Sequence, residues 1–313
     1  MVGLPGFDKC TMTKLSIIVL SYNTKDVTLK CLESIKSCYV KQLKIGEFEI
    51  IVVDNASTDG TIEAVKNVRL QTPEHSDGGQ ANLKLIENTE NVGFSKGCNT
   101  GAKQASGRYL FFLNSDTQIK DTGLLEMVAY LEKNENVGII GAKMVSTNGT
   151  HQASAGKFYT LLNVFIMLFG GERLGLLRLS PQRLTSVDWV SGASLMIKKD
   201  LFTKLLGFDE HFFMYVEDME LCFRVKKEGY KVIFYPDISI VHTQLGSSNR
   251  EFAILQIYKG LSYFYKKHAN ILEFYILRSM LFLKACLAFL TGILFWNKDL
   301  IKTYSKALKI SMV

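Results

Sequence analysis

Three groups of acidic residues, each close behind an apolar or aromatic run, are the side chains best suited to chemistry. In chain order they are Asp54, Asp116 and the adjacent pair Glu217-Asp218. The runs before Asp54 and Asp116 are typical of β-strands buried on both faces. Open α/β sheets bind ligands at the carboxyl ends of their strands. We therefore expect Asp54 and Asp116 at a ligand-binding edge.

Asp54 opens the segment 54–60, which is rich in turn-forming and helix-capping residues. Its carboxylate could accept a hydrogen bond from the ring N–H of a pyrimidine base. The alternative is an Asx turn that only caps the following helix. The residues alone leave both interpretations open.

The segment Asn114-Ser115-Asp116 could hold a divalent cation. Hard cations such as Mg²⁺ need few protein oxygens when a diphosphate supplies the others. A second ligand could come from His242, which ends the apolar run 238–241. The alternatives are an aspartate that opens an ordinary turn and a structural histidine.

The pair Glu217-Asp218 follows a segment crowded with aromatic residues. Burial against such walls would raise the pKa of a carboxyl group toward the range of a general base. The alternative is a negatively charged helix N-terminus, which the helix dipole stabilises without any catalytic role.

The segment 91–101 combines three glycines with Asn91 and Asn99 at the start of a predicted helix. A phosphate could lie on the backbone amides near Gly93. The spacing matches neither a dinucleotide-binding fingerprint nor a P-loop. Close packing of the helix is therefore the alternative explanation for the glycines.

The segments that must position these residues alternate between strand and helix up to residue 145. Strands are predicted at 15–20, 48–53, 83–86, 109–113 and 138–145, and helices at 26–37, 61–68, 94–105 and 124–133. This alternation is typical of a doubly wound, mostly parallel sheet flanked by helices. After residue 145, we predict an irregular stretch at 147–186 and a strand of a smaller mixed sheet at 187–197. A helix is predicted at 218–229, followed by two strands at 231–235 and 238–242.

The net charge of +7 is confined to the C-terminal part of the chain. From residue 257 onward there are nine Lys or Arg residues against two acidic ones, a difference of seven, so residues 1–256 are neutral. A neutral body argues against nucleic acid binding, and a basic, apolar tail favours an anionic membrane surface. The six cysteines have no ligand-like spacing and no signal peptide is recognisable, so we expect reduced thiols and a catalytic part that faces the cytoplasm.

Residues 271–296 are strongly apolar, with Lys284 the single charge within 279–296. On a helical wheel the polar residues near this stretch fall in one narrow stripe, which favours a helix lying in the membrane interface. Two alternatives remain open. The stretch is just long enough for a single membrane span, and it could also be buried in the core or in a homo-oligomer.

Taken in order, the motifs form one series. They are Ser21-Tyr22-Asn23, Asp54-Asn55-x-Ser57-x-Asp59-Gly60, Asn91-x-Gly93-Phe94-x-x-Gly97-x-Asn99-x-Gly101, Leu113-Asn114-Ser115-Asp116, Phe212-Phe213-Met214-Tyr215-x-Glu217-Asp218-x-Glu220-Leu221-x-x-Arg224, and His242 with Gly246 and Ser248. Over residues 15–248 this series closely resembles the family 2 inverting glycosyltransferases of the GT-A fold, particularly their rhamnosyltransferase-like branch.

The resemblance implies a role for each matching residue. Asp54 would recognise the base, Asp116 would hold the metal near the ribose, and His242 would contact the diphosphate or the metal. Asp218, beside Glu217, would be the catalytic base. The remaining donor contacts would be Ser21, Asn23, Asn91, Gly93, Asn99, Asn114 and Ser115.

Two departures from the family pattern matter. Asn114 replaces the first aspartate of the family's Asp-x-Asp motif, so metal affinity would depend more on Asp116 and His242. The Gln-x-x-Arg-Trp motif of processive polysaccharide synthases is absent, which implies transfer of a single sugar. The expected layout is a GT-A (Rossmann-like) domain over 14–250, divided into a nucleotide-binding half (14–145) and an acceptor half (146–250). A helical, membrane-associated tail follows over 251–313.

The enzyme implied by the resemblance is an inverting hexosyltransferase that uses Mg²⁺ or Mn²⁺. Its donor would be dTDP-rhamnose or a UDP-sugar, and its acceptor a glycan or a polyprenyl-linked molecule at the cytoplasmic face of the membrane, in polysaccharide synthesis. Two other classes remain. A sugar-1-phosphate nucleotidyltransferase would need a Gly-rich, basic loop where this chain has Ser21-Tyr22-Asn23. A catalytically silent membrane or glycan-binding protein would not need the three acids.

Overall fold

The computed structural model describes residues 13–70, 83–171, 175–243 and 249–312. Cys10 and the motif residues Gly246 and Ser248 lie outside these ranges. The first half of the chain alternates strands and helices. They are β1 (Leu15–Ser21), α1 (Lys25–Cys38), α2 (Val40–Lys44), β2 (Phe48–Asp54), α3 (Thr61–Leu70), β3 (Leu83–Glu87), α4 (Gly93–Lys103) and β4 (Tyr109–Asn114).

These four strands form one parallel region of the main sheet. Strand β1 pairs with both β2 and β4, and β2 pairs with β3. Separate hydrophobic clusters cover the two faces of the sheet. The apolar runs in these strands are continuous because both faces are buried, and the predicted α/β architecture is confirmed.

The next part of the chain adds a mixed region to the same sheet. Its elements are β5 (Thr117–Ile119), α5 (Leu124–Lys133), β6 (Val137–Val145), β7 (His151–Gln152), β8 (Ala155–Gly156), α6 (Leu161–Leu168), β9 (Arg178–Leu179), β10 (Thr185–Val187), β11 (Trp189–Val190), β12 (Ser194–Lys198), α7 (Lys199–Lys204), α8 (Glu217–Lys227) and β13 (Lys231–His242). The main sheet has the order β10-β13-β6-β12-β4-β1-β2-β3, with β5 beside β13 and β7 beside β6. Strand β12 lies antiparallel between β4 and β6.

Three predictions for this region were wrong in detail. The segment 187–197 is not one strand, because a turn in which Ser194 N–H donates to Ser191 O separates β11 from β12. The smaller sheet, β11-β8-β9, is antiparallel rather than mixed, and its strands β8 and β9 lie with α6 in the stretch predicted to be irregular. The two predicted strands at 231–242 are one strand, with a register shift around Pro236, which has no N–H to donate.

Three helices complete the described chain: α9 (Arg250–His268), α10 (Ile271–Leu294) and α11 (Lys298–Met312). Helix α10 begins with a capping box formed by Asn270 and Glu273. Its buried residues Leu277 and Leu281 belong to the same hydrophobic cluster as Trp189. The helical tail therefore packs on the body of the protein and shares its core.

Candidate active site

The carboxyl ends of β1, β2 and β4 meet at one edge of the main sheet. Ser21 pairs with Asp54 in the β1–β2 register, and Leu20 pairs with Asn114 in the β1–β4 register. The segments that carry Asp54 and Asp116 therefore share this edge.

Asp54 is fully buried at the end of β2. Its Oδ1 atom accepts a hydrogen bond of 2.7 Å from the backbone N–H of Ser57, which forms the turn that leads into α3. Its Oδ2 atom is buried without a partner among the described residues. A buried carboxylate oxygen without a donor is unfavourable by itself. One carboxylate oxygen thus stabilises the turn, and the other is available to accept a hydrogen bond from a ligand.

Hydroxyl groups connect the end of β1 with the end of β4. Ser21 Oγ lies 3.0 Å from Thr24 Oγ1 and 2.9 Å from Thr28 Oγ1. Thr24 Oγ1 in turn lies 3.1 Å from Ser115 Oγ. Ser21 and Ser115, both predicted to contact the nucleotide-sugar donor, are therefore linked through Thr24. This link holds the two strand ends together.

Asn23 connects the loop after β1 to the loop after β2. It has a positive φ of 52°, a conformation that asparagine tolerates better than most residues. Its N–H donates to Ser57 Oγ at 2.8 Å, and its Oδ1 accepts from Thr58 N–H at 2.8 Å. These two contacts join Asn23 to the loop that follows Asp54. Asn23 therefore forms part of the wall beside Asp54.

Asp116 and His242 form the candidate cation site. The β5–β13 register places His242 opposite Thr117, and His242 Nε2 lies 3.3 Å from Asp116 Oδ1. The Asp116 carbonyl accepts from the N–H and from the hydroxyl of Thr243, at 3.0 Å each. Within the described ranges, no set of three or more His, Cys, Asp or Glu side chains could hold a metal. A cation here would need further oxygens from a bound diphosphate.

Asp218 lies in the first turn of α8 and is partly exposed. Its Oδ2 accepts from Gly192 N–H at 3.0 Å, and its Oδ1 accepts from Met219 N–H at 2.8 Å. Burial raises the pKa of the Asp218 carboxyl above its ordinary value, although these two hydrogen bonds oppose the change. A carboxylate with a raised pKa is a stronger base near neutral pH.

Glu217 is more deeply buried than its neighbour. It is only 5% exposed, and its Oε2 has no partner among the described residues. Burial, and secondly the charge of Asp218, raise the pKa of Glu217 well above its ordinary value. Glu217 therefore lies almost entirely inside the protein, and of the two adjacent acids Asp218 is the more accessible. A catalytic role for Glu217 stays a prediction.

Two consecutive residues connect Asp218 to the end of β4. The N–H of Gly192 donates to Asp218, and the carbonyl of Ala193 accepts from the N–H of Asn114 at 3.2 Å. A Cβ atom on Gly192 would lie 3.1 Å from the Phe94 ring, so the turn fits closely. Asp218 is thereby brought to the sheet edge that also carries Asp54 and Asp116.

The start of α4 is occupied by contacts within the protein. Gly93 has a φ of +83°, and a Cβ atom there would lie 2.4 Å from the Phe213 carbonyl oxygen. Its N–H donates to Asn91 Oδ1 at 3.1 Å, and the N–H of Phe94 donates to Phe213 O at 2.6 Å. These amides are therefore already paired, which favours the packing explanation of the glycines over phosphate binding.

Asn99 is engaged by contacts within the protein. Its Nδ2 donates to the Phe208 carbonyl at 2.8 Å and to Glu210 Oε1 at 3.0 Å, and its Oδ1 accepts from Phe208 N–H at 2.9 Å. The side chain is 6% exposed. Its amide nitrogen and its oxygen are all engaged by the loop before α8, which favours an anchoring role over the predicted contact to a sugar-nucleotide donor.

The backbone before α8 is strained, and a cavity lies against it. Tyr215 and Val216 both have left-handed conformations, with φ of 70° and 74°, which are unfavourable for such residues and tend to cluster at functional sites. The cavity measures about 230 Å³ and is bounded by residues 211–215 and by Gln256, Lys259 and Gly260 of α9. The segment that leads to Asp218 thus forms one wall of an opening between the body and the tail.

Sequence reasoning missed two residues near these acids. Arg178 of β9 lies over the Trp189 ring at 5.9 Å, and its positive charge lowers the pKa of Asp218, in opposition to burial. Gln152 of β7 contacts His242. Both lie in short strands within a stretch of no clear periodicity, and no sequence signal distinguishes them from their neighbours.

Known proteins with similar sequences point to one family. The sequence model of "Glycosyl transferase family 2" matches residues 16–206. The chain is 26% identical over 260 residues to "O-antigen biosynthesis protein RfbC" of Myxococcus xanthus, covering 80% of this chain and 19% of that protein. It is 29% identical over 143 residues to "Rhamnosyltransferase WbbL" of Escherichia coli, covering 45% and 54%. The matches thus span about a fifth of the first relative and about half of the second.

A solved structure supports the fold. The mannosyltransferase PcManGT from Pyrobaculum calidifontis, in complex with GDP-Man and Mn²⁺, aligns with a TM-score of 0.56 and 18% identity, covering 97% of this chain and 87% of that chain. At this level of identity the likeness establishes a shared GT-A architecture.

Proposed function

This chain belongs to glycosyl transferase family 2, and on that premise we propose that it transfers one sugar from a nucleoside-diphosphate sugar to a glycan or lipid-linked acceptor in cell-surface polysaccharide synthesis. The observation that carries the proposal is the arrangement at one sheet edge of Asp54 with an unpaired oxygen, the Asp116–His242 pair, and the partly exposed Asp218. The names of RfbC and WbbL, which refer to O-antigen biosynthesis and rhamnosyl transfer, agree with this activity and favour dTDP-rhamnose as the donor.

The base of the donor would lie against Asp54. The unpaired Oδ2 of Asp54 suits the ring N–H of uracil or thymine, because a hydrogen bond from such a group stabilises a buried carboxylate oxygen. The hydroxyl-lined end of β1 lies beside it. A dTDP- or UDP-linked sugar is therefore the donor class that we propose.

Replacing Asp54 with asparagine is expected to weaken UDP or dTDP binding about 10- to 100-fold, the equivalent of one charged hydrogen bond. Asparagine keeps the oxygen that serves the Ser57 turn but presents an N–H₂ group to the base. Isothermal titration calorimetry would measure the change. The matched control is Asp59→Asn in the same turn, where the carboxylate bonds to the N–H of Lys25 and to Thr61. Equal losses of affinity in both variants would contradict base recognition by Asp54.

Asp116 and His242 fit a Mg²⁺ or Mn²⁺ ion. They provide one carboxylate oxygen and one imidazole nitrogen 3.3 Å apart, and a nucleoside diphosphate would complete the oxygen-rich shell that such ions prefer. The bound ion would neutralise charge on the diphosphate as it leaves. The presence of Mn²⁺ in the PcManGT structure is consistent with this assignment.

Asp218 would act as the general base. It would take the proton of the acceptor hydroxyl while that oxygen forms its bond to the anomeric carbon and the bond from that carbon to the diphosphate breaks. A single displacement from the face opposite the leaving group inverts the anomeric carbon. The amides of Gly192 and Met219 hold the carboxylate in place, so little reorientation is needed during the reaction.

The decisive experiment is to identify the product released from a panel of nucleotide sugars with Mg²⁺ or Mn²⁺. The proposed transferase releases UDP or dTDP and gives a glycoside of inverted configuration. Release of pyrophosphate would identify a sugar-1-phosphate nucleotidyltransferase instead. Thermal stabilisation of the protein by each nucleotide with metal would select the donor base before turnover is measured.

We also propose that the tail rests on the cytoplasmic surface of the membrane. Within the described residues α10 is the one helix long and apolar enough to span a bilayer, which is weak support for a span by itself. One face of α10 is packed through Leu277, Leu281 and Ala285, while the other exposes large apolar side chains. The latter include Ile271, Leu272, Leu283, Leu287, Leu290 and Leu294. A helix packed along one side and apolar on the other suits a bilayer surface better than a free span.

The double variant Leu287→Ser and Leu290→Ser is expected to bind vesicles of phosphatidylglycerol and phosphatidylcholine about tenfold or more weakly, because each exposed leucine would bury apolar area in the lipid. Cosedimentation at low and high salt would measure this. The control is Leu184→Ser with Leu206→Ser, which changes exposed leucines on the body. Release of the unmodified protein by high salt alone, or equal binding by both double variants, would contradict the proposal.

A further inference from the structure

The loop before α8 is attached to one face of α9 at two places. Near the start of the helix, the rings of Phe252 and Phe213 have centroids 5.9 Å apart. Near its end, Asp209 Oδ2 accepts from Tyr263 Oη at 3.1 Å and from Lys267 Nζ at 2.7 Å. The cavity of about 230 Å³ lies against the part of this helix between the two places. The loop and the helix therefore frame an opening that their own contacts do not fill.

Within the part of the chain that the structure describes, two polar side chains of α9 line this cavity without a hydrogen bond or an ion pair. They are Gln256 and Lys259, which are one helical turn apart and so lie on the same side of the helix. The two acidic residues of the loop are engaged elsewhere, Asp209 as described and Glu210 with Asn99 at 3.0 Å. Lys259 is thus a cation at the cavity whose counter-ion the loop does not provide.

The loop side of the cavity is aromatic and held in place. Phe213 and Tyr215 line it, and both are half-buried. The left-handed backbone of Tyr215 and Val216 packs closely on α9, because a Cβ atom on Gly260 would lie 3.0 Å from Val216 Cγ2. Sites for small molecules are typically preformed and combine aromatic walls with a few polar groups. This cavity has both properties.

The cavity lies beside the proposed base and apart from the proposed donor contacts. Tyr215 precedes Asp218 by three residues, so their Cα atoms are at most about 11 Å apart. Asp54, Asp116 and His242 do not line the cavity. A molecule bound here would therefore approach the reaction as the acceptor.

A sugar that carries a phosphate fits these surroundings. Lysine binds phosphate as a point charge, and a charge-assisted hydrogen bond to Lys259 would supply its missing counter-ion. The amide of Gln256 offers both a donor and an acceptor for sugar hydroxyl groups. At about 230 Å³ the cavity is smaller than the roughly 300–1,000 Å³ sites of drug-sized ligands, so it suits one sugar unit.

We propose that the cavity is the acceptor site for a glycosyl phosphate, with Lys259 on the phosphate and the aromatic wall of Phe213 and Tyr215 beside the sugar ring. One hydroxyl group of that sugar would face Asp218. The phosphate can be free or continue into a lipid, since both present the same chemistry to Lys259. This assignment rests on the sugar transfer proposed above and names the class of its acceptor.

The test compares Lys259→Met, Lys259→Arg and Lys266→Met in the full chain. Lys266 is the matched control, because it is an exposed lysine of α9 that does not line the cavity and makes no hydrogen bond or ion pair within the described residues. A panel of hexose 1-phosphates is titrated by saturation-transfer NMR, with Mg²⁺ and UDP present to occupy the donor contacts. The matching methyl hexosides are the neutral comparison.

We expect the unmodified protein to bind at least one hexose 1-phosphate about tenfold or more tightly than its methyl hexoside. In Lys259→Met this affinity should fall about 10- to 100-fold, the equivalent of one charge-assisted hydrogen bond, while methyl hexoside binding stays unchanged. Lys259→Arg keeps the charge and should bind within a few fold of the unmodified protein. Lys266→Met should bind like the unmodified protein.

A citronellyl ester of the same sugar phosphate distinguishes the two sources of the ligand. It should bind more tightly than the hexose 1-phosphate if the acceptor is lipid-linked, and no more tightly if the acceptor is free; either result agrees with the proposal.

Four results would overturn it. They are no preference for any hexose 1-phosphate, an unchanged affinity in Lys259→Met, an equal loss in Lys266→Met, and equally strong binding of inorganic phosphate or glycerol 1-phosphate. The last would indicate an anion site without sugar recognition, or a site for lipid headgroups.

Binding is measured without turnover, so the two proposals can fail separately. If no nucleotide sugar releases UDP or dTDP, the proposed transfer is wrong, whatever the cavity binds. If UDP or dTDP is released but Lys259→Met leaves the KM for the acceptor unchanged, the transfer stands and only the assignment of the cavity fails.

Discussion

Replacing Asp218 with asparagine is expected to lower turnover by about 10²- to 10⁴-fold, the usual contribution of a general base. Asparagine has nearly the same shape and keeps an oxygen for the Met219 N–H, but it cannot take a proton from the acceptor hydroxyl. Release of UDP or dTDP under saturating donor and acceptor would measure the loss. The affinity for the nucleotide with metal should remain unchanged, because the role proposed for Asp218 is toward the acceptor hydroxyl and not toward the nucleotide.

Glu217→Gln is the matched control for this prediction. Burial raises the pKa of Glu217 well above its ordinary value and so favours the uncharged form of its carboxyl group, which glutamine resembles closely. We therefore expect turnover within a few fold of the unmodified enzyme. Near-full activity of Asp218→Asn, or a comparably large loss in Glu217→Gln, would show that the base has been assigned to the wrong residue.

Replacing Glu220 with glutamine is expected to lower the free energy of unfolding by about 3–5 kcal/mol, the range for breaking a buried ion pair. Glu220 is fully buried on α8. It accepts from Arg224 Nε at 2.9 Å, from Lys267 Nζ at 2.8 Å and from His268 Nε2 at 2.9 Å. Without its charge these basic groups lose their shared counter-ion. Urea denaturation would measure the change.

Glu228→Gln is the control, because Glu228 pairs with Lys204 at the exposed end of the same helix. We expect a change within about 0.5 kcal/mol there. A similar loss of stability in both variants would contradict a special role for Glu220. Loss of the Glu220 network should also loosen α9 from α8, because Lys267 and His268 belong to α9.

Acid should weaken the same network. Burial alone would raise the pKa of Glu220, but hydrogen bonds from His268 and Arg224 outweigh it and lower the pKa from 4.5 to about 2. A carboxylate whose pKa is lowered on folding contributes stability above its unfolded pKa and loses it as the pH falls toward the folded value. The difference in stability between the unmodified protein and Glu220→Gln should therefore narrow between about pH 4.5 and pH 2.

The parallel half of the fold could be predicted from the sequence, because strands buried on both faces have continuous apolar runs. The runs that became β1, β2 and β4 are continuous and end in polar residues, and those ends carry Ser21, Asp54 and Asn114. The antiparallel insertion of β12 between β4 and β6 has no such signal. A short strand such as the five-residue β12 has the same sequence pattern whether its neighbours are parallel or antiparallel.

The roles of individual site residues were harder to predict for a related reason. Glu217 and Asp218 are adjacent and chemically alike, and only their places on α8 make one buried and the other accessible. Asn99 fits a donor-binding motif, but its partners lie in a loop 109 residues away. Gln152 is set by strand pairing across β6. These assignments depend on long-range contacts, which spacing along the chain does not encode.

The turn at Gly192 and Ala193 has a consequence for how such an enzyme could change its specificity. Only the two residues Gly192 and Ala193 connect the Asn114 backbone to the Asp218 carboxylate, so in the proposed reaction covalent geometry sets the depth at which a nucleophile can be activated. In the proposed reaction, the acceptor alcohol would then be selected by the surfaces that surround this turn. Those surfaces could diverge among relatives and admit new acceptors while the reacting centre keeps its dimensions.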